Sequence, residues 1–219
     1  MATTTIAIIG ATGKMGSAIA RSLARGPYRL LLFAHDKEKL ENLKSDIVHD
    51  LPSADIDCVG CPMDASWEAD VIIPAVPYAA EKEVAEKIRE VATQKIVVSI
   101  ANPLNETNSG LLTPASTSAA EELQKSLPFS KVVKAFSTSY AANFSQPVIG
   151  GQKADAFIAG NDEEAVSLVR DLVKTAGFQP VVAGNLAVSR TLESMQLLLI
   201  QLTQKNEYKG AAGFKILHN

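Results

Sequence analysis

The β-branched, apolar run Thr4–Ile9 (TTIAII) leads straight into Gly10-Ala-Thr-Gly13-Lys-Met-Gly16. That junction constrains the fold more than any other stretch, because it reads as a strand, a tight glycine turn and the start of a helix. Glycine adopts torsions that other residues resist, and it lets main chain come close to a ligand. The helix beyond contributes free N–H groups and a positive partial charge. Together these features describe a site for a dinucleotide pyrophosphate at the first strand–helix junction, with Gly10, Gly13 and Gly16 as its glycines. The spacing is G-x-x-G-x-x-G rather than the commoner G-x-G-x-x-G.

The rest of the chain repeats the alternation. A helical pattern after Gly16, carried by Ile19 and Leu23, stops at Gly26-Pro27. Leu30–Phe33 is continuously apolar, as a strand covered on both faces would be. Asp36 is the expected N-cap of a helix reaching about Lys44. Strands are expected at 56–59, 71–73 and 96–100, with a helix over 79–91 and a polar surface loop over 105–117. Ser118 with Glu121, and Asn161 with Glu164, read as capping boxes. Strands at 131–136, 156–159 and 181–182 follow, and the chain from Leu186 onward reads as mostly helical. This is an α/β chain with a Rossmann-like, doubly wound, mostly parallel sheet and a helical C-terminal segment. Residues 1–128 are expected to form the dinucleotide-binding core. Residues 129–219 extend the same sheet and supply the substrate cleft and a dimer contact.

Composition removes several function classes. Lys+Arg 21 against Asp+Glu 24 leaves a net charge of −3, with no basic cluster for nucleic acid or an anionic membrane. No apolar run nears the roughly 20 residues that a membrane span needs. Ile6–Ile9 is too short for a signal-peptide core, so a cytoplasmic protein is expected. Cys58 and Cys61 read as reduced thiols, because structural zinc needs four ligands and no second pair is present. No metal site is expected.

The second strand ends Phe33-Ala34-His35. An NAD binder usually places Asp or Glu about 20 residues beyond the loop, on the ribose 2′-hydroxyl. Ala34 has no carboxylate, while His35 and Lys39 can face a 2′-phosphate. Asp36 is near enough to serve NAD instead. Reading Asp36 as the helix cap favours NADP, with NAD still possible. Tyr78 and Lys82 have the Y-x-x-x-K spacing of short-chain dehydrogenases. Their place directly after a strand and Val76-Pro77 makes that spacing a coincidence.

Taken as a whole, the chain resembles the NADPH-dependent reductases of coenzyme F420, a deazaflavin, and is also similar to the cytosolic domain of six-transmembrane ferric reductases. The stretches that carry the resemblance are IAIIGATGKMG, IVVSIANPL, KVVKAFSTSYAANF, FIAGNDEEA and AGFQPVVAGNLAVSRTLESMQLLLIQL. It implies that Thr12, Gly13, Lys14 and Met15 contact phosphate. Ala34 and His35 fall where NADP-binding members carry Ser and Arg, and Lys39 matches their lysine. Val76-Pro77 and Ala101-Asn102-Pro103 match the segments beside the nicotinamide. Ser137 stands where the deazaflavin reductases have His or Asn, and Ser139-Tyr140 replaces a more apolar pair. Arg190 and Glu193 match the family's R-x-x-E, read here as a structural pair.

The implied activity is hydride transfer between a nicotinamide dinucleotide, NADPH favoured, and a deazaflavin or flavin. In such a reaction the cofactors carry the chemistry and the protein positions them. No catalytic side chain is assigned, and His35, His49 and His218 are placed outside the reaction cleft. The rival readings are a dinucleotide sensor without turnover, a carbonyl reductase, and a relative of the ferric reductases. A homodimer through the C-terminal helix is expected from the resemblance and from the patch Leu197–Leu202.

Overall fold

The computed structural model describes residues 3–208 and 212–217. Strand β1 (Thr4–Ile9) lies between β2 (Tyr28–Phe33) and β4 (Val71–Pro74). Beyond β2 comes β3 (Asp55–Cys58), and beyond β4 come β5 (Ile96–Ser99) and β6 (Lys131–Lys134). All six are parallel, in the order β3-β2-β1-β4-β5-β6. Strand order therefore reverses between β1 and β4, which opens a crevice at their carboxyl ends.

Burial explains why these strands read as unbroken apolar runs. In β1, Ile6 and Ile8 face one core while Ala7 and Ile9 face the other. The first core is covered by α1 (Lys14–Leu23), α2 (Lys37–Asp50) and α6 (Glu163–Thr175). The second is covered by α3 (Pro62–Glu68), α4 (Tyr78–Ile88) and α5 (Ala119–Ser126). A strand buried on both faces has no polar alternation to show.

Two further strands close the sheet differently. β9 (Asp155–Gly160) pairs antiparallel with β6, and β10 (Gln179–Gly184) is parallel to β9. Between β6 and β9 the chain forms a 3-10 turn at Ala141–Phe144 and a small hairpin, β7 (Val148–Ile149) with β8 (Gln152–Lys153). Helix α7 (Ser189–Lys205) follows β10.

Several sequence expectations need correction. The first helix begins at Lys14 rather than after Gly16, so Gly16 lies in its first turn. Helix α2 runs on to Asp50 because Leu40, Leu43 and Ile47 continue one buried stripe. Helix α3 is additional, with Cys61 as its N-cap and Pro62 in its first turn. Asp162, not Asn161, caps α6, by accepting from Ala165 N at 2.9 Å. Asn161 instead accepts the backbone N–H of Leu186 at 3.0 Å. The chain is not helical to its end either. Phe214 O accepts from Asp155 N at 3.0 Å, and Ile216 N donates to the Asp155 carboxylate at 2.6 Å, so the segment 212–217 runs beside β9.

Candidate functional site

Each of the three loop glycines meets a separate requirement. Gly10 has φ +86°, and a Cβ there would sit 2.5 Å from the carbonyl oxygen of Ala75. A Cβ on Gly16 would lie 2.3 Å from the carbonyl oxygen of Gly10, so this glycine lets α1 pack onto the loop. Gly13 differs. Its φ is −70°, it is exposed, and a Cβ would come no closer than 3.3 Å to protein. It is also the N-cap of α1 and has no side chain to satisfy the first-turn amides. The geometry fits a pyrophosphate, which would supply the acceptors that the cap lacks.

The loop opens on a cleft of about 400 Å³ at the carboxyl ends of β1, β2 and β4. Of the expected residues, Gly10, Thr12, Gly13, Ala34, His35, Val76 and Pro77 line it. His35 is therefore inside this cleft, just past the end of β2, with its ring edge-on to Phe33 at 5.5 Å between centroids. Asp36, weighed in the sequence as helix cap or ribose ligand, shares the cleft's polar wall with Glu83 and Lys87, which sequence reasoning missed. The Asp36 carboxylate caps α2 through Lys39 N at 3.0 Å and pairs with Lys39 Nζ at 2.9 Å. Those bonds hold Asp36 below the usual carboxylate range, the backbone bond most of all. Lys87 pairs with Glu83 at 2.6 Å, one turn apart on α4.

Lys14 is exposed at the start of α1, and Met15 packs against the core beneath it. Neither lines the cleft; Lys14 borders a separate surface hollow with Ala141 and Ser145. Ala101, Asn102 and Pro103 follow β5, and Ser137, Ser139 and Tyr140 follow β6, one strand further along. Asn102 Nδ2 donates to the carbonyl oxygen of Ser137 at 2.8 Å, which ties the two loops together. Phe136 holds φ +60°, a costly conformation for a bulky residue, and its ring is locked against Phe144 and Phe178. Just beyond this kink, Ser137 Oγ, Thr138 Oγ1 and Asn102 Oδ1 are buried without a hydrogen-bond partner in the protein. Orphaned polar atoms of this kind fit the polar edge of a bound heterocycle. Tyr140 points its hydroxyl to Thr203 Oγ1 on α7 at 3.0 Å.

The remaining motifs resolve into structural roles. Tyr78 OH donates to Glu122 at 2.5 Å, and both Tyr78 and Lys82 border a hollow between α4 and α5. Burial and that carboxylate push Tyr78 up to about 12, unsuited to proton donation near neutral pH. Cys58 and Cys61 are free thiols. Cys61 accepts from Asp64 N at the start of α3, and burial pushes Cys58 up to about 11. Arg190 and Glu193 form no pair with each other. Arg190 forks onto Glu121 at 2.8 and 2.5 Å, while Glu193 binds Lys134 at 2.7 Å. The lysine was the missed signal, since a charged residue inside the apolar run VVKAF needs a buried partner. His218 lies outside the described residues.

Residues 5–103 match the family model described as NADP oxidoreductase, coenzyme F420-dependent. A protein of Methanocaldococcus jannaschii named F420-dependent NADP reductase is 35% identical over 216 residues, covering 94% of this chain and 95% of its own. The protein of that name from Methanothermobacter thermautotrophicus is 27% identical over 217 residues, covering 94% and 92%. Among solved structures, one from an Arthrobacter species, described as a candidate F420-dependent NADP reductase, superposes with a TM-score of 0.84 at 24% identity. It covers 97% of this chain and 99% of that one. That last likeness is a statement about fold.

Proposed function

The chain belongs to the F420-dependent NADP reductase family, and from that premise we propose that it transfers a hydride between NADPH and coenzyme F420. The observation that carries the reading is the uncapped, exposed Gly13 turn at the mouth of a cleft bounded by His35 and Val76. The bound nicotinamide and deazaflavin rings supply the redox chemistry themselves. The residues of this chain bind, orient and exclude water. Gly13 and the first turn of α1 hold the pyrophosphate. Ala34 leaves room at the end of β2, and His35 and Lys39 face the 2′-phosphate. NADP is favoured over NAD because the Asp36 carboxylate is already engaged by Lys39.

Val76, Pro77 and the Ala101–Pro103 loop seat the nicotinamide. Ser137, Ser139 and Tyr140 form the acceptor side, where Ser137 has a free buried hydroxyl to offer. Residues 1–128 thus hold the dinucleotide, and residues 129–219 complete the acceptor pocket. Among the described residues no helix is long and apolar enough to cross a membrane. We place the protein in the cytoplasm as a homodimer joined through α7, where Leu198 and Leu202 are exposed one turn apart.

The test is ligand-induced stabilisation. NADPH and F420 should each raise the melting temperature. Gly13→Val should abolish the NADPH effect, keep the F420 effect and leave the unliganded melting temperature nearly unchanged. An unaltered NADPH shift in that variant would remove the loop from the site.

A further inference from the structure

Lys134 closes β6 and is fully buried. Its Nζ lies 2.7 Å from Glu193 Oε1 and 2.5 Å from the carbonyl oxygen of Ala101. Glu193, equally buried on α7, accepts the backbone N–H groups of Ala119 and Ala120 at the start of α5. A second carboxylate, Glu81 on α4, is only 4% exposed and has one oxygen without a partner. Glu81 lines the hollow between α4 and α5 together with Tyr78, Lys82, Glu122 and Ala119, whose N–H Glu193 accepts, and Tyr78 bonds Glu122. One buried cation therefore stands among two buried carboxylates. Both cannot ionise cheaply at so low a dielectric.

We propose that Lys134, Glu193 and a protonated Glu81 form a positioning cluster for the Ala101–Pro103 loop, and that loss of the Glu81 proton loosens the Lys134 hold on Ala101 and slows hydride transfer. The inference rests on the reductase reading above. Its geometry spans the site. Helix α4 starts directly after Pro77, Ala101 follows β5, and Asn102 carries any shift of that loop to Ser137. Burial pushes Glu81 up to about 8; Lys134 opposes the rise, while Glu193 and Glu122 add to it. Once ionised, Glu81 competes with Ala101 and Glu193 for the single ammonium group.

Glu81→Gln keeps the shape and removes the titration. In the wild type, kcat should fall above about pH 8 while KM for NADPH holds steady; in Glu81→Gln the fall should disappear. A cofactor-free readout accompanies it. The folded protein keeps a proton that the unfolded chain releases from about 4.5 upward, so Glu81 withdraws stability as pH rises from there to about 8. Glu81→Gln should flatten that part of the melting-temperature profile. Lys134→Met should cut kcat by at least roughly tenfold, or ~1.4 kcal/mol, with the Kd for NADPH little changed. If it fails to fold, the Glu81→Gln profiles decide alone. Superimposable pH profiles of wild type and Glu81→Gln, in an enzyme that reduces F420 with NADPH, overturn the cluster and leave the reductase reading standing. A wild type that transfers no hydride to F420 at neutral pH overturns the reductase reading, and the positioning role falls with it.

Discussion

At the residue scale, the loop glycines separate into two that build the turn and one, Gly13, that the turn itself needs less. Gly10 and Gly16 answer to protein atoms within 2.5 Å of where a Cβ would sit, so their substitution damages the fold. Gly13 has a looser constraint, with the nearest protein atom 3.3 Å from where a Cβ would sit, and it begins an uncapped helix. In the proposed site, the 2′-phosphate end is the weaker half. His35 lacks the forked donor geometry of a guanidinium, and Lys39 shares its charge with Asp36. Arginine, permanently charged and forked, suits a phosphate better. We therefore expect His35→Arg to tighten NADPH by roughly tenfold, ~1.4 kcal/mol, and NADH hardly at all. Calorimetric titration of both dinucleotides checks this, and equal gains would mean the 2′-phosphate is read elsewhere.

Among elements, the junction of α5 and α7 shows which parts of the site the sequence can declare. The Ser118–Glu121 capping box was legible because its partners lie three residues apart; the structure has one of its bonds, Glu121 N to Ser118 Oγ, while the Glu121 carboxylate accepts from the Ser118 hydroxyl instead of the Ser118 N–H. The R-x-x-E pair was visible as a motif, yet its partners stand 59 to 74 residues away in the chain and no local pattern names them. Asn161 misled for the same reason, since its partner is Leu186, across the sheet end. Glu193 also serves two elements at once, as counter-ion to Lys134 and as cap to α5. Replacing it with Ala leaves Lys134 buried without its counter-charge. The expected cost is ~3–5 kcal/mol in chemical denaturation, and less for Glu193→Gln, which keeps acceptors for the α5 amides. A loss below about 1 kcal/mol would mean that water solvates Lys134.

For the whole molecule, the alternation of strands and helices made the parallel half of the sheet readable from the chain. The reversal of β9 was not called, although its cause is local. Between β6 and β9 the chain has only a 3-10 turn and a hairpin, and no crossover helix to bring the strand back parallel. The proposed acceptor side was legible only as positions. Its orphaned Ser137, Thr138 and Asn102 atoms depend on a kink at Phe136 that no composition rule anticipates. Leu198 and Leu202 lie on the face of α7 turned away from the core. If that face joins two copies, Leu198→Lys with Leu202→Lys should give a monomer by light scattering while the fold persists. A dimer that survives both changes would place the seam elsewhere.

The most direct measurement is anaerobic steady-state oxidation of NADPH and NADH by the purified protein, with F420 and FMN as competing acceptors. This reading predicts turnover that selects NADPH over NADH and F420 over FMN. Turnover with neither acceptor, while NADPH still raises the melting temperature, would contradict it and leave a dinucleotide-binding protein without reductase activity.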